Sequence, residues 1–145
     1  HFMIIGNGGK KADLIKSVET RGLTNCTFLD WLPADKIVYS LSAANLSVVT
    51  LTDDTAFVSV PSKTYNILSV GSPILCVAPE KSEVGQLVKK EQCGKCYDKS
   101  HIKEMVNFIL QLKSDKEYYA EMVQNSLNAS MHYTFANASE YVCYK

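Results

Sequence analysis

The sequence predicts an α/β fold, a Rossmann-like parallel sheet flanked by helices, with further helices at the C-terminal end. Short β-rich runs alternate with amphipathic helical patterns, which is the spacing of βαβ units. Gly and Pro residues mark several of the boundaries between these patterns. With 145 residues and 46% hydrophobic composition, residues 1–145 are predicted to form a single domain with its own core.

The first half of the chain contains three predicted strands joined by helices. The third strand, residues 46–51, is apolar enough to be central in the sheet. A glycine-rich turn follows the first strand and opens a helix, and Pro33 suits the first turn of the second helix. In order, the predicted elements are strand 2–5, helix 10–21, strand 26–29, a helix from Pro33 to about residue 44, and strand 46–51.

The second half continues the alternation and then becomes helical. Gly71 is placed to end a helix, and Ser82 is a good N-cap for the next one. After a polar connection, the predicted elements are helix 64–70, strand 73–78, helix 83–91 and edge strand 94–97. From residue 100 onward the pattern is helical, and one or two further helices are implied by Met122, Leu127, Tyr133 and Phe135.

The segment centred on Pro61, Ser62 and Lys63 carries the most functional information. Ser62 can cap a helix whose first amides point outward beside Lys63, and free N–H groups next to a cation form an anion site suited to a diphosphate. Asn66 lies about one helical turn beyond Ser62, where its amide can donate to and accept from ribose hydroxyls. The alternative, a capped helix packed on the sheet with a solvated lysine, stays open.

Two further candidate positions follow predicted strands, at the edge where open parallel sheets bind ligands. The turn containing Gly6, Asn7 and Gly8 permits close approach of the backbone to a ligand. It lacks the third glycine of the dinucleotide fingerprint, so a plain tight turn is the alternative. Trp31 can lie along a nucleobase, with partly buried packing as its alternative.

Composition argues against several function classes. Fifteen Lys and Arg balance fifteen Asp and Glu, so no nucleic-acid partner is expected. The apolar runs are far shorter than the ~20 residues of a membrane helix. Five cysteines, with Cys76 inside an apolar strand pattern, favour a reducing cytoplasm.

Other reactive residues do not form a convincing site. Cys93 and Cys96 form a CxxC pair, but the pair enters a strand rather than opening a helix, and no second ligand pair for zinc accompanies it. Asp53 and Asp54 suit a cation in type, yet adjacent side chains point apart and a polar loop explains them. No metal site, cofactor or complete set of catalytic residues is predicted in this chain.

The segment Val60-Pro-Ser-Lys-Thr-Tyr-Asn-Ile-Leu resembles a known family, and the resemblance extends nearly from end to end. The chain is similar to the C-terminal, donor-binding domain of family 4 glycosyltransferases, the retaining GT-B group that builds bacterial capsule, O-antigen and exopolysaccharide. It resembles most the branch related to N-acetylfucosamine transferases. The other matching segments are Phe2-Met-Ile-Ile-Gly-Asn-Gly, Asn25-Cys-Thr-Phe-Leu-Asp-Trp-Leu-Pro, Ala43-Ala-Asn-Leu-Ser-Val-Val-Thr-Leu and Gly71-Ser-Pro-Ile-Leu.

The resemblance implies that a uridine- or guanosine-diphosphate sugar binds between two Rossmann-like domains, with no cofactor and no tightly held catalytic metal. Lys63 would stabilise the departing diphosphate of an oxocarbenium-like transition state. By the same resemblance, the base would lie near Trp31 and Leu32, the diphosphate near Ser62, Lys63 and Thr64, and the ribose near Asn66.

Two departures from the family pattern bear on what the chain does alone. Val58 and Asn66 stand where the family often has two glutamates, so Asn66 can serve the ribose whereas any role of the first glutamate is lost. The resemblance also begins at the family domain's second strand. A preceding strand and helix and the whole N-terminal acceptor domain are therefore expected to be missing. This predicts weak donor binding, no transfer activity, and self-association through an exposed sheet edge.

The parent enzyme is expected in the cytoplasm, at the inner face of the membrane. Two other function classes remain open. A non-enzymatic nucleotide-binding α/β module would share the anion site without preferring a sugar on the diphosphate. A sugar-nucleotide epimerase of GT-B architecture would need acid/base carboxylates or histidines in the cleft, and none occupies a convincing position.

Overall fold

The computed structural model describes residues 1–58 and 60–134. Within them, short parallel strands alternate with helices, so the predicted α/β class with flanking and C-terminal helices is confirmed. Phe135, predicted in a C-terminal helix, lies outside the described residues. The elements are β1 (Phe2–Ile5), α1 (Lys11–Thr20), β2 (Cys26–Leu29), α2 (Ala34–Ser42), β3 (Ser47–Thr50), α3 (Lys63–Ser69), β4 (Ile74–Val77), α4 (Glu83–Lys90), β5 (Gly94–Tyr97), α5 (Ile102–Ser114) and α6 (Lys116–His132).

The strands form two hydrogen-bonded sheets. β1 pairs with β2, and the other sheet has the order β3-β4-β5, with every pairing parallel. The chain correspondingly forms two compact units, His1–Ile37 and Val38–Lys145, with the boundary inside α2. Each unit is described by itself below.

The core of the second unit is built around β4, because both faces of this strand are covered by helices. Ile74 and Cys76 belong to a cluster with residues of α3 and α4, such as Leu68 and Val84. Leu75 belongs to a second cluster, formed with residues of α5 and α6. The continuous apolar run of β4 is therefore that of a strand buried on both faces.

The prediction that residues 46–51 form a central strand is wrong for the sheet to which they belong. β3 lies at one end of the order β3-β4-β5, and β4 is the central strand. Ser47 and Val49 are buried, whereas Val48 and Thr50 are exposed, so only one face of β3 is covered. The sequence carries part of this difference, because two of the four residues of β3, Ser47 and Thr50, are polar, whereas all four residues of β4 are apolar. β5 is an edge strand, as predicted.

The first unit has no buried residue, and all of its 37 positions are described. Large apolar side chains of β1 stay open to solvent, with Phe2 47% and Met3 52% exposed. α1 likewise has no buried residue. The apolar residues of this unit therefore pack less completely than those of the second unit.

Local signals mark some of the helix ends, but α1, α3 and α5 begin without a side-chain cap. The Ser82 side chain caps α4 by accepting a hydrogen bond from the Gly85 amide at 3.1 Å, as predicted. Gly71 follows α3 with a positive φ of 70°, which suits a helix terminus and is strained for other residues. Among residues 1–58 and 60–134, no helix combines the length and apolar composition that crossing a membrane requires.

Candidate functional site

The segment predicted to bind a diphosphate forms the beginning of α3. Ser62, Lys63 and Asn66 are exposed, while Ile67 and Leu68 of the same helix are buried in the core. The buried residues fix the orientation of the helix, because they pack in the cluster that covers β4. The structure therefore presents a cation and an amide side chain together on the solvent face of one short helix.

The prediction that Ser62 caps this helix through its side chain is wrong. Ser62 already has helical dihedral angles, φ −56° and ψ −31°, and makes no side-chain cap hydrogen bond. A capping residue usually needs an extended backbone for its oxygen to reach the amides of the first turn. Two of those amides are instead engaged locally, from Thr64 to the Pro61 carbonyl at 2.9 Å and from Tyr65 to the Ser62 carbonyl at 3.2 Å. Lys63 thus becomes the stronger candidate for anion binding in this segment.

Thr64 follows Lys63 directly, but its side chain is on the buried side of the helix. It is fully buried, and its Oγ1 has no hydrogen-bond partner among the described residues. An unpaired buried hydroxyl is uncommon, since it costs desolvation free energy without compensation. The Thr64 hydroxyl is therefore closed to solvent, whereas the side chain of Lys63 is exposed.

The residues predicted at the ends of the first two strands lie side by side in the first unit. Gly6, directly after β1, has φ +133°, and the position that a Cβ would take there is 3.7 Å from Cε3 of Trp31. A Cβ would meet the indole at ordinary van der Waals distance, so it is the positive φ that favours glycine here and would strain another residue. Trp31 is 75% exposed, so it is not the partly buried packing residue of the alternative interpretation. Leu32, which follows it, is half-buried.

Lys11, which the sequence analysis did not identify, links the ends of the two strands through hydrogen bonds. Its Nζ donates to Asn7 Oδ1 at 3.0 Å, to the Leu29 carbonyl at 3.1 Å and to Asp30 Oδ1 at 2.7 Å. The Lys11 side chain is 21% exposed, whereas that of Asp30 is 84% exposed. The sequence held only a partial signal: Asp30 directly follows a predicted strand, but Lys11 lies six residues beyond β1, at the first residue of α1.

The predicted site residues thus fall into two groups. Gly6, Asn7, Gly8, Trp31 and Leu32 belong to the first unit, and Pro61, Ser62, Lys63, Thr64 and Asn66 belong to the second. In the first unit Gly6 lies beside Trp31 and Asn7 is hydrogen-bonded to Lys11, and in the second unit the predicted residues follow one another at the start of α3.

The remaining reactive residues occupy structural positions. Cys93 is buried, and burial raises its pKa to about 12. Cys96 lies opposite Cys76 in the β4–β5 pairing, and their hydrogen bond lowers the pKa of Cys96 and raises that of the more deeply buried Cys76. Asp53 forms an ion pair with Lys99 at 3.2 Å. In the described part of the chain, no three His, Cys, Asp or Glu residues are grouped as metal ligands.

Known proteins carry the same sequence pattern. Residues 1–129 match the family described as glycosyl transferases group 1. Over 86 residues the chain is 36% identical to WcaI of Escherichia coli (strain K12), whose name assigns it provisionally to colanic acid biosynthesis as a glycosyl transferase. The match covers 59% of this chain and 21% of WcaI, so it spans about a fifth of that relative's length. Because the family match covers residues of both units, the chain belongs to the group 1 glycosyltransferases.

Proposed function

We propose that this chain is the donor-binding domain of a retaining GT-B glycosyltransferase, which transfers a sugar from a UDP- or GDP-sugar to a glycan or lipid-linked acceptor. The observation that carries the proposal is the family match over residues 1–129. The similarity to WcaI supports bacterial surface polysaccharide synthesis as the process.

The diphosphate and ribose contacts are proposed at the start of α3. Lys63 is exposed at the first residue of the helix, where its ammonium can pair with phosphate oxygens. Asn66 is exposed on the same helix and carries both a donor and an acceptor for ribose hydroxyls. Ser62 is exposed and makes no side-chain cap, so its hydroxyl would donate to a phosphate oxygen. Pro61 has no backbone N–H and would contribute by fixing the backbone that precedes the helix.

The base contacts are proposed at the strand ends of the first unit. Trp31 offers an exposed aromatic face, and Leu32 an adjacent apolar side chain. Gly6, Asn7 and Gly8 form the turn beside it, and a Cβ at Gly8 would meet nothing within 4 Å. The turn therefore leaves space for a ligand at the ends of β1 and β2.

Transfer itself needs groups beyond these contacts. Lys63 would stabilise the negative charge that develops on the leaving diphosphate in an oxocarbenium-like transition state. We propose that the acceptor binds to an N-terminal domain of the parent enzyme and that the parent works in the cytoplasm, at the inner face of the membrane. The 145-residue chain alone is then expected to bind a donor weakly, to transfer no sugar, and to self-associate through the exposed apolar side chains of β1.

The proposal is tested by ligand-observed NMR of the purified chain with UDP, GDP, UDP-N-acetylglucosamine and GDP-mannose. Lys63→Ala removes the proposed phosphate contact and is expected to weaken binding about tenfold, which corresponds to ~1.4 kcal/mol. Asn66→Ala removes the proposed ribose contact and should weaken the binding of all four ligands by a smaller factor. The matched control is Lys103→Ala, which removes an exposed lysine from α5.

Equal binding by the wild type and Lys63→Ala would contradict the proposed site. If UDP bound as tightly as UDP-N-acetylglucosamine, and GDP as tightly as GDP-mannose, the non-enzymatic nucleotide-binding module would be favoured instead. Conversion of a nucleotide sugar to its epimer by the parent enzyme without an acceptor would favour the epimerase.

A further inference from the structure

The first unit contains a group of polar and aromatic side chains that we call the strand-end cluster, formed by Gly6, Asn7, Lys11, Asp30 and Trp31. Its members follow β1 and β2, which are adjacent and parallel, so they share the carboxyl edge of the sheet. Lys11 Nζ lies 3.0 Å from Asn7 Oδ1 and 2.7 Å from Asp30 Oδ1. The amide and the carboxylate are thus held a few ångströms apart by one ammonium.

This ammonium determines which atoms of Asn7 are available to a ligand. A lysine ammonium can only donate, so the Asn7 oxygen must face Lys11, and the Asn7 Nδ2 group is directed elsewhere as a donor. Asp30 uses Oδ1 toward Lys11, and its Oδ2 accepts no hydrogen bond from the described residues. The cluster therefore presents one amide donor next to one exposed carboxylate acceptor.

The third part of the cluster is the Trp31 indole. It is 75% exposed and lies beside Gly6, where its Cε3 is 3.7 Å from the position that a Cβ would take. Exposed aromatic rings at fixed positions bind nucleobases by stacking, which does not discriminate strongly between bases. Discrimination would come from the hydrogen-bonding groups beside the ring, namely Asn7 and Asp30.

Guanine is the base whose edge matches this pair. Its Watson–Crick edge carries two adjacent N–H donors, at N1 and N2, followed by the O6 acceptor. A carboxylate can accept from the two donors while a neighbouring amide donates to O6. Uracil has one N–H between two carbonyls, so a carboxylate there would also meet a carbonyl oxygen. Adenine and cytosine place a ring-nitrogen acceptor where guanine has the N1–H donor.

We infer that the strand-end cluster selects guanine, so that the donor is a GDP-sugar rather than a UDP-sugar. This inference rests on the donor-binding function proposed above. Asp30 accepts from N1–H and N2–H, Asn7 Nδ2 donates to O6, and Trp31 stacks on the ring. Lys11 is a positioning residue, because it orients Asn7 and Asp30 without contacting the base.

The test compares the affinities of GDP, UDP and xanthosine diphosphate for the 145-residue chain by isothermal titration calorimetry. The wild type should bind GDP at least about tenfold more tightly than UDP, a difference of ~1.4 kcal/mol. Asp30→Asn should reduce this preference by about the same factor. It should also improve binding of xanthosine diphosphate, because xanthine carries a carbonyl where guanine has its 2-amino group, and asparagine can donate to it.

Two further variants separate base recognition from general damage. Asn7→Ala removes the proposed donor to O6 and should lower GDP affinity more than UDP affinity. Asp13→Asn removes an exposed carboxylate from α1 in the same unit and should leave the GDP preference unchanged. A purely structural role of Asp30 would instead weaken all three nucleotides by the same factor.

The outcomes distinguish this inference from the proposed function. Tighter binding of UDP than GDP, or an equal loss for all nucleotides in Asp30→Asn, would overturn the guanine assignment. The donor-binding function would survive that result if Lys63→Ala still weakened binding. Failure of a folded wild-type sample to bind any nucleotide would overturn both.

Discussion

At the scale of single residues, Glu91 is a largely buried carboxylate of the second unit with several hydrogen-bond partners. Its side chain is only 9% exposed and lies after α4. It accepts a hydrogen bond from Tyr133 Oη at 3.0 Å and lies 3.3 Å from His132 Nδ1. Burial alone would raise the pKa of Glu91, but hydrogen bonds from Tyr133, Lys90 and His132 outweigh it and lower the pKa below its usual 4.5. These contacts join the end of α6 to the end of α4.

The lowered pKa of Glu91 predicts a loss of stability in acid. A group whose pKa is lower in the folded state adds stability above its unfolded pKa and loses it as the pH falls through the folded value. The free energy of unfolding should therefore decrease as the pH drops below the ordinary value of 4.5, and Glu91→Gln should flatten this decrease. Urea unfolding at a series of pH values measures both curves.

The matched control for that experiment is Glu121→Gln, which replaces an exposed carboxylate of α6. It should keep the acid dependence of the wild type. If Glu91→Gln retained the same dependence as the wild type, Glu91 would not be stabilised by its partners.

At the scale of elements, two serines at corresponding positions before two helices provide a direct comparison. Ser82 has an extended backbone and accepts the Gly85 amide, whereas Ser62 has a helical backbone and makes no cap. Ser82→Ala should lower the free energy of unfolding by about 1 kcal/mol, within the range of about 0.5–2 kcal/mol for lost caps. Ser62→Ala should change it by less than about 0.5 kcal/mol, as expected for an exposed residue without a special contact.

Chemical denaturation of the two variants in parallel measures this difference. Equal losses of stability in both would mean that Ser62 also caps its helix in solution. Serine at the position before a helix is therefore an insufficient signal by itself. The backbone conformation of that serine decides whether its side chain reaches an amide.

The strand bounds could be predicted from sequence because they depend on local patterns. Each strand lies within one residue of its predicted range, since apolar runs between glycines, prolines and polar residues mark both ends. The central position of β4, in contrast, depends on which strands pair. Ser47–Thr50 and Ile74–Val77 are both four residues long, yet only the second is covered by helices on both faces.

At the scale of the whole molecule, the two units differ in how completely they bury their residues. β4 has a strand on each side, and Ile74 and Cys76 are fully buried. β1 pairs with β2 alone among the described strands, and its unit has no buried residue. Local opening of the first unit should therefore expose less apolar surface and cost less free energy.

This difference predicts the pattern of amide hydrogen exchange. Amides of β4 should exchange at least about a hundredfold more slowly than those of β1 and β2, because exchange follows the free energy of local opening. Mass spectrometry of peptides covering Phe2–Ile5 and Ile74–Val77 measures the ratio. Similar protection of both strands would contradict this prediction. It would mean that the first unit is protected in solution by contacts other than those described within this chain.

The candidate site was only partly accessible to sequence reasoning. Lys63, Asn66 and Trp31 were identified by residue type and position, and they are exposed as a binding role requires. The ion pair between Lys11 and Asp30 could not be predicted, because the two residues are 19 positions apart along the chain. The mismatch between Ser62 and its expected capping role arose from backbone angles that the residue type does not specify.

Local periodicity and the motifs along the chain were sufficient to predict the α/β class, the order of the elements and the family. The division of the strands into two sheets, the central position of β4 rather than β3, and the burial of Thr64 beside an exposed Lys63 became known only from the folded chain. It also brought Lys11 to Asn7 and Asp30. The physical reason is that strand pairing, burial and side-chain hydrogen bonds join residues distant in sequence, whose distances are set only when the whole chain packs.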